Sequence, residues 1–513
     1  MAQMKMKKAN SSRKEKVIEG LPVMGRNRAG CDLGSKSHGV CAPTVEGSER
    51  EITEFGCTTG ELLRMAAWLK ERKVESIAIE STGVYWIPVH EVLEAAGVEV
   101  LLVNTRQLKQ VPGRDKKSDP EDCQWIQRLH SCGLLRGSYR PKEEVCKLRT
   151  LVRDKGILTA EAGDWVRRMQ KSLDQMNVRV PRAVSDGDGV TGMAIVQAIV
   201  DGERDPMKLA KLRDARCRKS EEEIAAELTG HWREDHLFSR KQSLKMYATI
   251  QERMGDYEKE ILRQLGEMER LELRGQPAAE LKNKNKARAV RRRGEEGMRQ
   301  AYYRMSGVDL ATIDAVGVEA LQVVLSEYGP DWSRFPDEKQ FASPIRLVPH
   351  NPTSGGKPVK KKMRRGTSSR TAAVLRMAAL SQRNANTALG ALYRRMARKK
   401  SPDLAVFVTA RKLAHLIDRA LRWGQPYIDE GAEAYEARFR QARVKSLQAQ
   451  ARELGGQLVM PSQRKLVVPT PATRCHRAGR WPATSGRPHR RTAHVRNRGT
   501  HLGTRATEYR QEH

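Results

Sequence analysis

The sequence predicts an α/β domain at the N-terminal end, a long helical middle with coiled-coil character, and a mainly α C-terminal region. Three observations carry this. Short β-rich runs alternate with amphipathic helices as far as residue 104, the pattern of strands and helices packed in layers. From about 142 to 300 the chain is charged and helical with few strand signals. Beyond 301, helical stretches punctuated by glycine return. A chain of 513 residues is too long for one core, so roughly two or three domains are expected.

In order, a basic flexible tail occupies residues 1–27. "RAGCDLGSKSHGVCAPTVEGSEREITEFGCT" then reads as strand, hairpin and strand around Gly-containing turns. "GELLRMAAWLKERK" is an amphipathic helix with Leu62, Leu63, Ala66, Ala67 and Leu69 on one side. "VESIAIE" is a buried strand, "VYWIPVHEVLEAAG" a helix closed by Gly97, and "VEVLLVN" a second buried strand. "SDPE" is a capping box in which Ser118 and Glu121 satisfy each other's backbone N–H groups. Pro120 suits the first turn of the helix that follows. These elements make up a domain over 28–141.

Across 142–300, "EEVCKLRTLVRDKGILTAEAGDWVRRMQKSLDQMN" and "YATIQERMGDYEKEILRQLGEMERLE" repeat apolar residues every three to four positions, which suits a helical hairpin or coiled coil. "RGQPAAELKNKNKARAVRRRGEEG" reads as a loose basic connector. In the unit at 301–455, "MSGVDLATIDAVGVEALQVVLSEYG" gives two short helices about a turn, and "SSRTAAVLRMAALSQ" and "DLAVFVTARKLAHLIDRAL" give longer ones. Residues 456–513 are Arg-rich and aperiodic, reading equally as a disordered tail or a frameshifted terminus.

The formal net charge is +33, with 31% charged residues and a pI near 10.1. Such self-repulsion is most simply tolerated in the presence of a polyanion, and nucleic acid is the usual one. No run approaches the ~18 apolar residues of a membrane span, and the N-terminus lacks the apolar core of a signal peptide. The cysteines at 31, 41, 57, 123, 132, 146, 217 and 475 form no C-x-x-C pair, which favours reduced thiols over a zinc site. The expectation is a soluble, cytoplasmic, nucleic-acid-associated protein without a membrane partner.

Four acids stand out. Asp32 in "GCDLGS" and Glu80 in "AIESTG" each end a predicted strand, where α/β folds place their chemistry. Asp119 and Asp122 lie three apart on one face at the start of a helix. Carboxylates from separate elements can converge on hard cations such as Mg²⁺. Singly, each also reads as a turn former or a helix-dipole partner. Downstream, "NPTSGGKPVKKKMRRGTSSR" places Ser354 before Gly355 and Gly356, then seven Lys or Arg with no acid among them. Glycines let backbone approach a phosphate. Lys357, Lys360, Lys361, Lys362, Arg364 and Arg365 can hold phosphates, with Arg370 and Arg376 as further candidates. "TSGGK" alone reads at least as well as a turn. His38 reads as a strand-surface histidine rather than a base, and Trp86 and Trp125 as core aromatics.

"CDLGSKSHGV", "IAIESTGVYWIPV" and "KKSDPEDCQWI" resemble the RuvC-like N-terminal domain of the DEDD transposases, the insertion-sequence recombinases related to the Piv DNA invertase. "GVDLATIDAVG", "FPDEKQFAS" and "VPHNPTSGGK" resemble the same family's C-terminal transposase domain, and the likeness spans roughly residues 28 to 455. The resemblance implies an RNase H-like (RuvC-like) fold and a divalent-metal site at Asp32, Glu80, Asp119 and Asp122. It implies Mg²⁺, two per site, with Mn²⁺ as the other candidate. It implies that Ser354 forms a 5′-phosphoserine link with DNA, in a composite site shared between subunits of a homotetramer. It implies donor and target DNA as partners, selected by a noncoding bridge RNA, in a bacterial, nucleoid-associated setting. The chain departs from the family in "SPIRLVPHN", where relatives carry an aromatic-Leu-Gly-Leu run. There Pro344 would break a helix and Arg346 replaces a small residue. Metal-dependent junction cleavage without a covalent intermediate, or nucleic-acid binding alone, are the competing readings.

Overall fold

The computed structural model describes residues 22–46, 49–81, 83–108, 119–184, 189–215, 217–333, 335–347, 353–355, 357–358, 369–424 and 426–457. Two compact units divide the chain, residues 1–442 and 443–513. Among the described residues no helix is long and apolar enough to cross a membrane.

The first layer is built from β1 (Arg28–Leu33), β2 (Ser37–Pro43), β3 (Arg50–Gly56), α1 (Thr59–Glu71), β4 (Ser76–Glu80), α2 (Trp86–Ala95), β5 (Glu99–Val103), α3 (Thr105–Leu108) and α4 (Asp119–Ser131). β1, β2 and β3 form an antiparallel meander, and β4 and β5 add parallel to β1 in the sheet order β3-β2-β1-β4-β5. Strand alternation sorts the sheet into two faces. Ala29, Cys31, Leu33, Ile77 and Ile79 share a core with Leu62, Met65 and Leu69 of α1 and with Val89 and Leu93 of α2. Ala78 and Val103 face the other way, onto Ile126 and Leu129 of α4. The buried stripe of α1 is Leu62, Met65, Ala66 and Leu69. Leu63 and Ala67, expected on that face, are exposed. The i, i+3, i+4, i+7 spacing selects Met65 and turns both of them to solvent.

Two long helices follow, α5 (Glu143–Gln175) and α10 (Glu234–Glu267). They run antiparallel. Leu148 and Val152 share a core with Ile261 and Leu265, Met169 packs with Leu244, and Leu173 with Leu237. Lys155 pairs with Glu258 at 2.6 Å between them. Between the two helices the chain inserts α6 (Val180–Ala183), α7 (Val190–Val200), α8 (Pro206–Ala210) and α9 (Glu221–Leu228), which close a small core with Leu173 and Leu237 about Val178, Ile195, Leu209, Ile224 and Leu228.

The basic stretch expected as a loose connector holds α11 (Lys284–Arg292). The Asn283 side chain accepts from Lys286 N–H and caps this helix, while Lys286 Nζ donates to the Ile313 carbonyl at 2.7 Å. Burial pushes the Lys286 ammonium down to about 8.

The last helices are α12 (Glu296–Ser306), α13 (Val318–Tyr328), α14 (Glu338–Ala342), α15 (Arg370–Ser381), α16 (Ala388–Lys399), α17 (Pro402–Trp423) and α18 (Gly431–Glu453). Before α15 a short hairpin forms from β6 (Thr353–Ser354) and β7 (Lys357–Pro358). The base of α5 and α10 is part of this core, since Leu148 and Leu265 pack with Leu321, Leu375 and Leu413. Tyr328, Trp332, Phe335 and Phe341 stack edge to face around α14 at 4.9 to 6.2 Å. Trp332 Nε1 donates to the buried Asp418 at 2.9 Å, and Asp418 in turn pairs with Arg422 at 2.6 Å.

α14 ends at Ala342, two residues before Pro344, as the sequence predicts. Ile345 and Leu347 are buried in the same core, and Arg346 between them has φ +58. That left-handed conformation costs a side-chain-bearing residue about 1 kcal/mol that glycine avoids. Arg346→Gly is expected to raise unfolding stability by up to about 1 kcal/mol, since part of the relief is offset by glycine's freer unfolded chain. Urea denaturation of the two proteins measures it, and a destabilised glycine variant would mean that the arginine side chain holds this turn.

Candidate active site

β1 and β4 run parallel with Cys31 opposite Ile79. The next residues along each strand are Asp32 and Glu80, so the two carboxylates stand on neighbouring strands about 4.8 Å apart in backbone spacing. Both lie on the face that carries Gly30 and Ala78, away from the α1 and α2 core, and both are half-buried.

α4 covers that face. It is held against the strand starts at its C-terminal end, where Arg28 Nη1 donates to the His130 carbonyl at 2.8 Å. His130 Nε2 lies 2.8 Å from Ser76 Oγ, and Gln127 Nε2 donates to the Arg28 carbonyl at 2.9 Å. Further along, a β-carbon on Gly30 would lie 2.2 Å from Gln127 N and 2.7 Å from Cys123 O. Only glycine lets the helix backbone come this close. The helix thus runs antiparallel to β1, and its N-terminal end points toward the ends of β1 and β4.

The level of each acid follows from the two rises per residue. From Gly30 to Asp32 the strand climbs about 7 Å. From Gln127 back to Asp122 the helix climbs about 7.5 Å. Asp122 is therefore level with Asp32 and Glu80. Asp119, one turn earlier, starts the helix about 4.5 Å higher, past the strand ends. Its side chain lies outside the described residues, as do those of Pro120 and Glu121, and Ser118 of the capping box lies outside them altogether.

The Asp32 charge is felt by its neighbours. Burial, then Cys123, then Asp32 push the Cys31 thiol well up, and burial, Cys41 and Asp32 do the same to Cys123. Burial pushes Cys41 up to about 12. These thiols stay protonated and act as packing. None of the seven described cysteines is in a disulfide.

Carboxylate oxygen is the donor that hard divalent cations take, so these side chains suit such an ion. Among the described residues, Asp32, Glu80 and Asp122 included, no group of three or more His, Cys, Asp or Glu is arranged to hold a metal; the Asp119 carboxylate, the expected fourth member, lies outside them. His38 is not the surface residue expected. It is 2% exposed, opposite Leu33 on the α1 face. Burial lowers its pKa, and Nδ1 has no hydrogen-bond partner. Strand alternation points it away from the Asp32 carboxylate. Trp86 and Trp125 pack at the margins of the two sheet cores.

Ser354 ends β6 and pairs with Lys357 across a tight turn. Gly355 in that turn has φ +55, a conformation that glycine takes without strain. Gly356, Lys360, Lys361, Lys362, Arg364 and Arg365 lie outside the described residues, as do the side chains of Ser354 and Lys357. Arg370 opens α15 behind the N-cap Ser369, whose hydroxyl accepts from Ala372 N–H at 3.0 Å. Its guanidinium donates to the Arg153 carbonyl of α5 at 3.4 Å, and Arg376 stacks over Phe407 at 5.5 Å.

A family model described as a transposase, of the IS110 DEDD type, matches residues 29–178. A second, described as the transposase IS116/IS110/IS902 family, matches residues 309–394. The chain belongs to the IS110 family of DEDD transposases. No curated protein matches it. The first match takes in β1 through α5 and all four acids of this transposase. The second runs from before α13 into α16 and includes Ser354. DNA is accordingly the partner that the family implies.

Sequence reading did not single out Gly30, Gln127 or the His130–Ser76 pair, which set the height of α4. Gly30 shows no turn signal; only the packed helix reveals why it is small. His130 supplies a stability test. Burial, and then the Arg28 charge, push its pKa down to about 4. The folded state therefore holds a neutral imidazole that the unfolded chain protonates near 6.5. Stability from this group is complete above about 6.5 and is lost as pH falls toward about 4. Between pH ~7 and ~5 the loss is about 2 kcal/mol. His130→Gln is expected to lose about 2 kcal/mol less than the parent over that interval, read from urea melts at both pH values. Equal losses would mean that His130 is not held neutral.

Proposed function

We propose that this transposase exchanges DNA strands by transesterification through Ser354. The Ser354 hydroxyl oxygen attacks a phosphodiester and forms a 5′-phosphoserine; the P–O3′ bond breaks and the proton passes to the departing 3′ oxygen. A 3′-hydroxyl from the other strand then attacks the phosphoserine, restores the serine and reseals the backbone. A phosphoester replaces a phosphoester at each step, so no nucleotide energy source is needed. A divalent cation, Mg²⁺ or Mn²⁺, held by Asp32, Glu80, Asp119 and Asp122 would lower the cost of the serine alkoxide and of the leaving oxygen. Lys357, Lys360, Lys361, Lys362, Arg364, Arg365 and Arg370 hold phosphates, while the backbone at Gly355 and Gly356 admits them.

The observation that supports this best is the levelling of Asp32, Glu80 and Asp122 at one sheet edge beneath the start of α4. The sheet order β3-β2-β1-β4-β5 supports an RNase H-like reading of that domain. We extend the proposal to a homotetramer in which the acids of one subunit serve the serine of another, with a noncoding bridge RNA selecting donor and target. The competing reading is hydrolysis by the carboxylates alone, with no covalent intermediate.

Trapping separates the two. Incubating the protein with bridge RNA, donor and target DNA and Mg²⁺, then denaturing, is expected to leave a protein–DNA adduct that Ser354→Ala lacks. Protein-free nicked DNA formed equally by Ser354→Ala would overturn the serine mechanism in favour of hydrolysis.

A further inference from the structure

Arg240 lies on α10 with its side chain fully buried. One terminal nitrogen, Nη1, donates to the Met169 carbonyl of α5 at 2.6 Å. Nε and Nη2 are buried and have no hydrogen-bond partner. These two nitrogens form the edge with which a guanidinium receives an anion in fork geometry. Beside it is a small cavity of about 10 Å³, lined by Met169, Gln170 and Leu173 of α5, Pro181 of α6, and Met193 and Val196 of α7. Burial alone accounts for the fall of the Arg240 pKa to about 9, and no carboxylate contributes.

A buried cation without a counter-charge is strongly unfavourable. Water in the cavity would satisfy an N–H but leave the charge unmet. Gln170 is the other polar residue of the lining, and an amide N–H can donate to an anion as well. The space is too small for a nucleotide phosphate or a peptide carboxylate with its chain. We propose that Arg240 binds a single monatomic anion of the halide class, chloride under ordinary conditions, and that this ion pins α6 and α7 to the α5–α10 pair. Nothing in the strand-exchange reading requires this site, which lies in a different core from the four acids.

Hydrogen exchange of the full chain gives a local readout, comparing chloride or bromide with gluconate at one ionic strength. Amides around 166–173, 190–200 and 237–244 are expected to exchange at least about tenfold more slowly in halide, and Arg240→Met is expected to abolish the difference. Bromide crystals should show an anomalous peak within hydrogen-bond distance of Arg240 Nε and Nη2. Exchange that is indifferent to the anion would overturn the proposal. So would a halide effect that survives in Arg240→Met, which would report adventitious ions on the basic surface. Should Arg240→Met fail to fold, the bromide peak decides: its presence on Arg240 supports the site and its absence removes it.

Discussion

Asp32→Asn is expected to lower strand exchange by at least about 10³-fold and to leave the thermal transition in place. The two halves of that outcome have separate grounds. Asp32 and Glu80 occupy adjacent positions on parallel strands, with Asp122 level above them on α4. Asparagine keeps the size of aspartate and one accepting oxygen, so stability should not fall. On the proposed function the charge that would hold the cation is lost, so the chemistry should. Groups that act as one unit are not additive. Asp32→Asn combined with Ser354→Ala should therefore be no slower than the slower single variant, and neither should yield the covalent adduct. Gel-resolved recombinant product and differential scanning calorimetry on the three variants measure both halves. A large stability loss with modest loss of exchange would make Asp32 a structural residue, and multiplicative losses in the double variant would place Ser354 in a different step.

Much of this site is legible in the sequence because strand ends are legible. β-branched and small apolar runs stop at Asp32 and Glu80, and a parallel pairing of the two strands puts those acids side by side. The D-x-x-D at 119 and 122 announces a helix start. The alternation of strand and helix to residue 104 gives the layered domain. What remained hidden depends on contacts distant in sequence. Gly30 has no local signature, since its smallness answers to Cys123 and Gln127 some hundred residues on. α11 carries so many cations that its polarity reads as a connector, yet Lys286 and Asn283 find the Ile313 carbonyl and Asp314 and fix it in place. The small core of α6 to α9 was masked for a similar reason: its helices run from 4 to 11 residues, too short to show periodicity. His38 misled because a polar residue in a strand suggests solvent, whereas alternation with Val40 and Ala42 turns it into the α1 core.

Gly30→Ala is the sharpest test of how the acids are brought together. The added carbon would meet Gln127 N at 2.2 Å and Cys123 O at 2.7 Å. Both are backbone atoms, so no rotamer change relieves the overlap, and α4 or β1 must shift. The C-terminal end of α4 is tied down by Arg28, Ser76 and the Gln127–Arg28 bond. The free response is a tilt that lifts the N-terminal end, which carries Asp122 and Asp119. Overpacking of this kind costs about 1–3 kcal/mol. Misplacing a reacting group by about 1 Å costs about 10²-fold in rate. Gly30→Ala is therefore expected to lose about 2 kcal/mol of stability and about 10²-fold in strand exchange, measured well below its melting temperature. Gly60→Ala, where the new carbon meets nothing within 4 Å, is the control; it should keep the rate and lose no stability, since alanine in a helix restricts the unfolded chain. Full activity in Gly30→Ala would mean that the approach of α4 to β1 is not what sets Asp122 against Asp32. A stability loss without a rate loss would mean that the acids are drawn into place by the substrate complex rather than by the packing of this helix.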